Sequence, residues 1–155
     1  MIDKLLKFFG REDDLPEEEC AEERIKHATA VLLVEIARAD HDLSDAEMIK
    51  IRDELCAAFD VDGGQASMLV ERAHVAVEEA VSLHEFTRIL HAEMSYAEKV
   101  SVIEMLWKIA LVDLDLDKYE DYMIAKIADL LYIARGDVMR LKQRVVESLS
   151  GQDPS

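Results

Sequence analysis

The 155 residues suit one ordinary domain, long enough to bury roughly two thirds of the surface an unfolded chain exposes, and the 2 cysteines, Cys20 and Cys56, have no C-x-x-C or Cys/His spacing that would make a staple. With 18 Lys plus Arg against 34 Asp plus Glu, the net charge of −16 repels nucleic acid phosphate and favours cations and partners with a basic surface. Half of the residues are hydrophobic, yet no apolar run approaches the roughly 18 to 20 that cross a bilayer, so no integral membrane span is expected.

Only 5 Gly and 2 Pro interrupt apolar residues recurring at three- and four-residue spacing, which predicts an all-α fold, one helical bundle of about seven to eight helices. A first short amphipathic helix is expected over Ile2 to Phe9, with Lys4, Lys7 and Arg11 interleaved among Ile2, Leu5, Leu6, Phe8 and Phe9. It carries acid and base and lacks a small-residue cleavage site, so it is no signal peptide and a cytoplasmic protein is expected. Docking on the protein's own core is its simplest role; a partner groove, or weak peripheral membrane contact through residues 1–11, are the alternatives.

Residues 1–16 thus read as an N-terminal helix and linker, 17–149 as the helical domain and 150–155 as a frayed tail. Pro16 opens a helix reaching Ala39, with Ile25, Ala28, Leu32 and Ile36 as its buried stripe. Four later starts carry a reciprocal capping box: Ser44/Glu47, Ser82/Glu85, Ser95/Glu98 and Asp117/Glu120. The breaker Asp60-Val-Asp-Gly-Gly64 separates a helix ending near Phe59 from one over Gln65 to Ala80, and a last helix follows Arg135-Gly136-Asp137.

The most informative pattern is an internal repeat. Ile36-Ala-Arg-Ala-Asp40-His-Asp42-Leu-Ser-Asp-Ala-Glu47 returns as Ile109-Ala-Leu-Val-Asp113-Leu-Asp115-Leu-Asp-Lys-Tyr-Glu120, at a constant offset of 113 − 40 = 73. Two helix, acidic turn, helix units related by a pseudo-twofold are expected, bridged by Asp60 to Glu93. Each turn reads D-x-D-L-x-x-x-E, and Asp40, Asp42, Glu47, Asp113, Asp115 and Glu120 are the candidate metal ligands. Such hard oxygens suit calcium or magnesium better than zinc, although the spacing is not that of an EF-hand, which needs Gly at position 6 and Glu at position 12 of its loop. Plain capped turns are the competing reading. Two exposed carboxylates about 6 Å apart in water repel by only about 0.7 kcal/mol, so repulsion alone requires no ion.

Enzyme chemistry has little support. Glu71-Arg-Ala-His74 matches E-x-x-H, but no second such element exists to complete a di-iron set, and His84, Arg88 and His91 read as a mixed polar helix face. No G-x-S-x-G elbow or phosphate loop occurs, so no catalytic residue and no organic cofactor is assigned. Trp107 aligns with Val34 and is expected in the core.

The paired turns, above all Ala37-Arg-Ala-Asp40-His-Asp42-Leu-Ser-Asp-Ala-Glu47, resemble those of the tellurite resistance TerB family over roughly Glu22 to Gln143. His41 and Leu114 replace the small residue usual in that motif. The resemblance implies an all-helical bacterial protein tied to tellurite and related chemical stress, acidic residues that bind metal, and no established reaction. Similar domains also occur joined to J-domains in membrane-anchored co-chaperones, which fits an adaptor role. A non-catalytic binding module leads; a metal-dependent hydrolase using the same carboxylates and a purely structural scaffold are the alternatives.

Overall fold

The computed structural model describes residues 17–38, 45–79, 82–112 and 118–151, so the expected helix over Ile2 to Phe9 and the two Asp-x-Asp turns lie outside the described residues. Within them are seven helices and no strand: α1 (Glu17–Ala37), α2 (Asp45–Phe59), α3 (Gly63–Glu79), α4 (His84–Glu93), α5 (Tyr96–Ala110), α6 (Lys118–Leu130) and α7 (Arg135–Gly151). No described helix is long and apolar enough to cross a membrane.

Two helices form the centre. From Ala28 to Ala37 every residue of α1 except Glu35 is buried, a far wider face than the expected stripe, because α1 packs against α2, α3, α4, α5 and α6. Ile25, the stripe's outermost member, is only partly buried. The second centre, α5, buries Val102, Ile103, Met105, Leu106, Trp107, Ile109 and Ala110, and touches α1, α2, α6 and α7. Trp107 is a core residue as expected: its indole N–H donates to the Val138 carbonyl at 3.2 Å and the Lys142 ammonium lies 5.3 Å from its ring.

The helix boundaries reproduce the sequence repeat. Helices α1 and α5 end at Ala37 and Ala110, and α2 and α6 begin at Asp45 and Lys118, both pairs separated by 73. The repeat also reaches further than the sequence reading, because α3 and α7 correspond after a one-residue shift: 138 − 66 = 72 relates Ala66 to Val138, and the same offset relates Leu69 to Leu141 and Ala73 to Val145, all buried. The two non-glycine residues with positive φ obey it too, Asp60 at 54° and Tyr132 at 60°. Tyr132 holds a left-handed conformation that bulky residues rarely adopt; it sits at the end of α6, where Ile133 N–H donates to Ala128 O and Tyr132 N–H to Asp129 O, the Schellman pattern. The matching boundaries and burial thus run over three described helices in each half, α1 to α3 and α5 to α7, with α4 between them.

Capping follows the expectation in part. Ser95 and Glu98 form the full reciprocal box at the start of α5. At α4 the cap is Leu83 without a side-chain bond, correcting Ser82/Glu85; Ser82 Oγ instead accepts from His84 N–H at 3.2 Å. Asp62 and Gln65 make an unexpected box that starts α3 at Gly63, two residues early. In α7 the same place is held by Tyr96 of α5, whose hydroxyl accepts from Ala134 N–H at 3.0 Å and donates to Asp137 at 2.6 Å.

Candidate functional site

Of the six candidate ligands, the structure describes Glu47 and Glu120; Asp40, Asp42, Asp113 and Asp115 lie outside the described residues. Glu47 lies in the first turn of α2 and Glu120 in the first turn of α6, 73 residues apart, joined there by Asp45 and Asp121 respectively. Acidic side chains at a helix start are favoured by the macrodipole, which accounts for an exposed carboxylate there. Burial is a different matter: Glu47 is 5% exposed and Glu120 1%. In the two boxes whose bonds are seen, Glu98 and Gln65 are both exposed, so a cap alone does not require this depth. A buried carboxylate is costly unless its oxygens are satisfied, and neither Glu47 nor Glu120 is without a partner. One turn further, Ile51 and Ile124 are fully buried and fix the register of both helices.

Glu35, in the last turns of α1, adds a further carboxylate that the sequence reading passed over. Burial pushes its carboxyl above the usual range, and the Arg38 guanidinium opposes that rise. Arg38 itself reaches Glu78 of α3 at 4.0 Å. A signal was present in the sequence: an acid at the 35/108 pair interrupts an apolar helix, with Lys108 as its counterpart in α5.

The four described histidines, His27, His74, His84 and His91, do not assemble a metal centre. Among the described residues no group of three or more His, Cys, Asp or Glu side chains converges in a way that could hold an ion. His84, Arg88 and His91 are exposed as a polar face, although His91 has a definite role: Lys99, 5% exposed, lies 2.9 Å from His91 Nδ1 and donates to the Leu131 carbonyl at 2.9 Å. Lys99 thereby ties α4, α5 and the end of α6 together. Cys56 is a half-buried free thiol.

All six candidate ligands are carboxylates by residue type, chemistry suited to hard cations or to basic side chains. The protein-family comparison matches a model described as tellurite resistance protein TerB over residues 26–143. The chain belongs to the TerB family. No curated protein and no solved structure gives a significant match. The TerB match runs from Lys26 in α1 to Gln143 in α7 and takes in both acidic turns and both buried glutamates.

Proposed function

We propose that this TerB protein is a non-catalytic binding module of the tellurite and chemical stress response, holding divalent cations in its two acidic turns. Asp40, Asp42 and Glu47 serve the first site and Asp113, Asp115 and Glu120 the second. The observation that carries this reading is the paired burial of Glu47 and Glu120 at the same place in two repeats, beyond what capping asks. Hard oxygen donors favour calcium or magnesium over zinc. A basic segment of a partner protein is the other ligand that the same carboxylates suit.

Calorimetric titration of the metal-free protein with calcium, magnesium, manganese and zinc tests the proposal, repeated on Asp40→Asn/Asp113→Asn and on Glu47→Gln/Glu120→Gln. Binding on the order of micromolar is expected for calcium or magnesium and is lost in the first variant. Absence of heat with every ion in the wild-type protein would overturn it in favour of capped turns.

A further inference from the structure

In a chain of net charge −16, a place where cations converge is informative, and one such place is a cleft of about 310 Å³ between α2, α5 and α7. Each helix contributes one cation, Lys50 from α2, Lys108 from α5 and Arg144 from α7, with Ser148 one turn beyond Arg144. Val112, Val145 and Leu149 supply an apolar wall. Both lysines lean on one carboxylate: Glu54, its side chain 14% exposed, lies 3.4 Å from the Lys50 ammonium and 3.9 Å from that of Lys108. Glu104, which also lines the cleft, lies 3.9 Å from Lys108 as well. Neither 3.9 Å contact is a hydrogen bond, so the Lys108 ammonium keeps protons for an acceptor in the cleft. Arg144 has no ion pair among the described residues. The other half of the chain puts apolar core at the matching positions: Val31, Met123 and Ile127, all buried, stand 73 residues from Glu104, Lys50 and Glu54 (104 − 31, 123 − 50 and 127 − 54). The charges belong to this cleft and not to the repeat.

We propose that the α2/α5/α7 cleft binds a small organic anion, a carboxylate or phosphate group joined to a short apolar body. The Arg144 guanidinium offers the planar fork that grips either group with paired hydrogen bonds, the two ammoniums add point charge, and the Ser148 hydroxyl adds a neutral donor. Three cations against the two carboxylates Glu54 and Glu104 leave one positive charge for the ligand to neutralise. Glu54 is a positioning residue: one charge shared by two ammoniums holds both at the cleft while cancelling only one. The apolar wall takes the ligand's body. Ligand pockets run from roughly 300 to 1,000 Å³, so this cleft suits a small molecule at the low end of that range. The molecule's overall negative field opposes any anion, but at about 0.1 M salt it is screened beyond about 10 Å, and the groups at the cleft decide. The inference uses no residue of the acidic turns and is independent of cation binding.

The test titrates the full-length, metal-free, nitrogen-15-labelled protein with phenyl phosphate, phenylacetate and, as the neutral control, benzyl alcohol, following backbone amides by NMR. Saturable shifts centred on Lys50, Lys108, Val112 and Arg144 to Leu149 are expected with at least one anion, at a midpoint on the order of 1 mM or below. Whichever anion binds more tightly identifies the headgroup. Arg144→Gln should weaken that binding by about tenfold and Lys50→Gln/Lys108→Gln by more, with amide spectra and urea midpoints showing both variants folded. Glu54→Gln, which frees both lysines from their shared carboxylate, separates an anion site from a merely apolar one, because it should leave anion binding intact only if the ammoniums still reach the ligand. Shifts centred on another face, no saturable shift with either anion, equal binding of benzyl alcohol, or anion binding unchanged in Arg144→Gln and in the double lysine variant would each overturn the proposal.

Discussion

Thr29 is fully buried in α1 and its hydroxyl has no hydrogen-bond partner, while the residue 102 − 29 = 73 positions on is the buried Val102 of α5. The second unit has thus solved with a methyl what the first leaves as an unsatisfied donor. Thr29→Val, nearly isosteric, should stabilise the protein by about 1 kcal/mol, read as a higher urea midpoint at unchanged slope. His27, two residues earlier, is a titrating counterpart of the same problem. Burial first and the Arg72 guanidinium second hold its imidazole below the ordinary value, Glu85 opposing, and its Nδ1 is buried without a partner. The unfolded chain therefore binds the proton more readily, so stability present above about pH 6.5 is lost as pH falls through the lower folded value. Glu35 has the opposite sign, since its raised carboxyl favours folding at low pH and loses that contribution as pH rises. The two are separated by difference: His27→Gln should lose less stability than wild type between about pH 7 and pH 5.5, whatever Glu35 does in both. Equal pH slopes in the two proteins would refute the assignment.

At the scale of elements, capping energies discriminate the boxes that form from the one that does not. Ser95→Ala and Asp62→Ala should each cost about 1 kcal/mol, as N-cap losses do, whereas Ser82→Ala, outside the Leu83 cap, should cost no more than a few tenths. Denaturant unfolding of the three variants decides it. These positions also mark how far the helices were legible. Ser95 was readable because its box is wholly local, four consecutive residues satisfying one another. Tyr96 was not, because its hydroxyl serves a helix start 38 residues away, and sequence spacing carries no sign of that. The third helix of each unit escaped for a related reason. Helix α6 is 13 residues against 15 in α2 and the connection after it is one residue longer, which together shift the offset from 73 to 72, and Ala66, Leu69 and Ala73 correspond to Val138, Leu141 and Val145 as matched burial with only Leu identical. The acid turns were legible as a motif because identity there is high; the depth of Glu47 and Glu120 was not, since an acid at the third helical position reads on paper as a cap.

For the whole molecule the question is whether its charge acts as a diffuse field or through localised sites. A net charge of −16 destabilises the compact state by self-repulsion, and any salt relieves that to an extent set by ionic strength alone. The divalent cation proposed for each acidic turn would do something distinct: a ligand that binds only the folded state adds RT ln(1 + [L]/Kd) per site, about 2.7 kcal/mol at a hundredfold excess over Kd. In a domain of this size that corresponds to a melting temperature higher by roughly 5 to 10 °C for one site. Calcium or magnesium should therefore raise the melting temperature well beyond sodium chloride of equal ionic strength, and Asp40→Asn/Asp113→Asn should retain the sodium response while losing the divalent excess. The variant's own removal of two negative charges raises its baseline, so the comparison is between increments within each protein. Should calcium and sodium curves coincide at equal ionic strength in the wild type, the carboxylates act only as a field, and the buried pair Glu47 and Glu120 becomes a matter of helix anchoring.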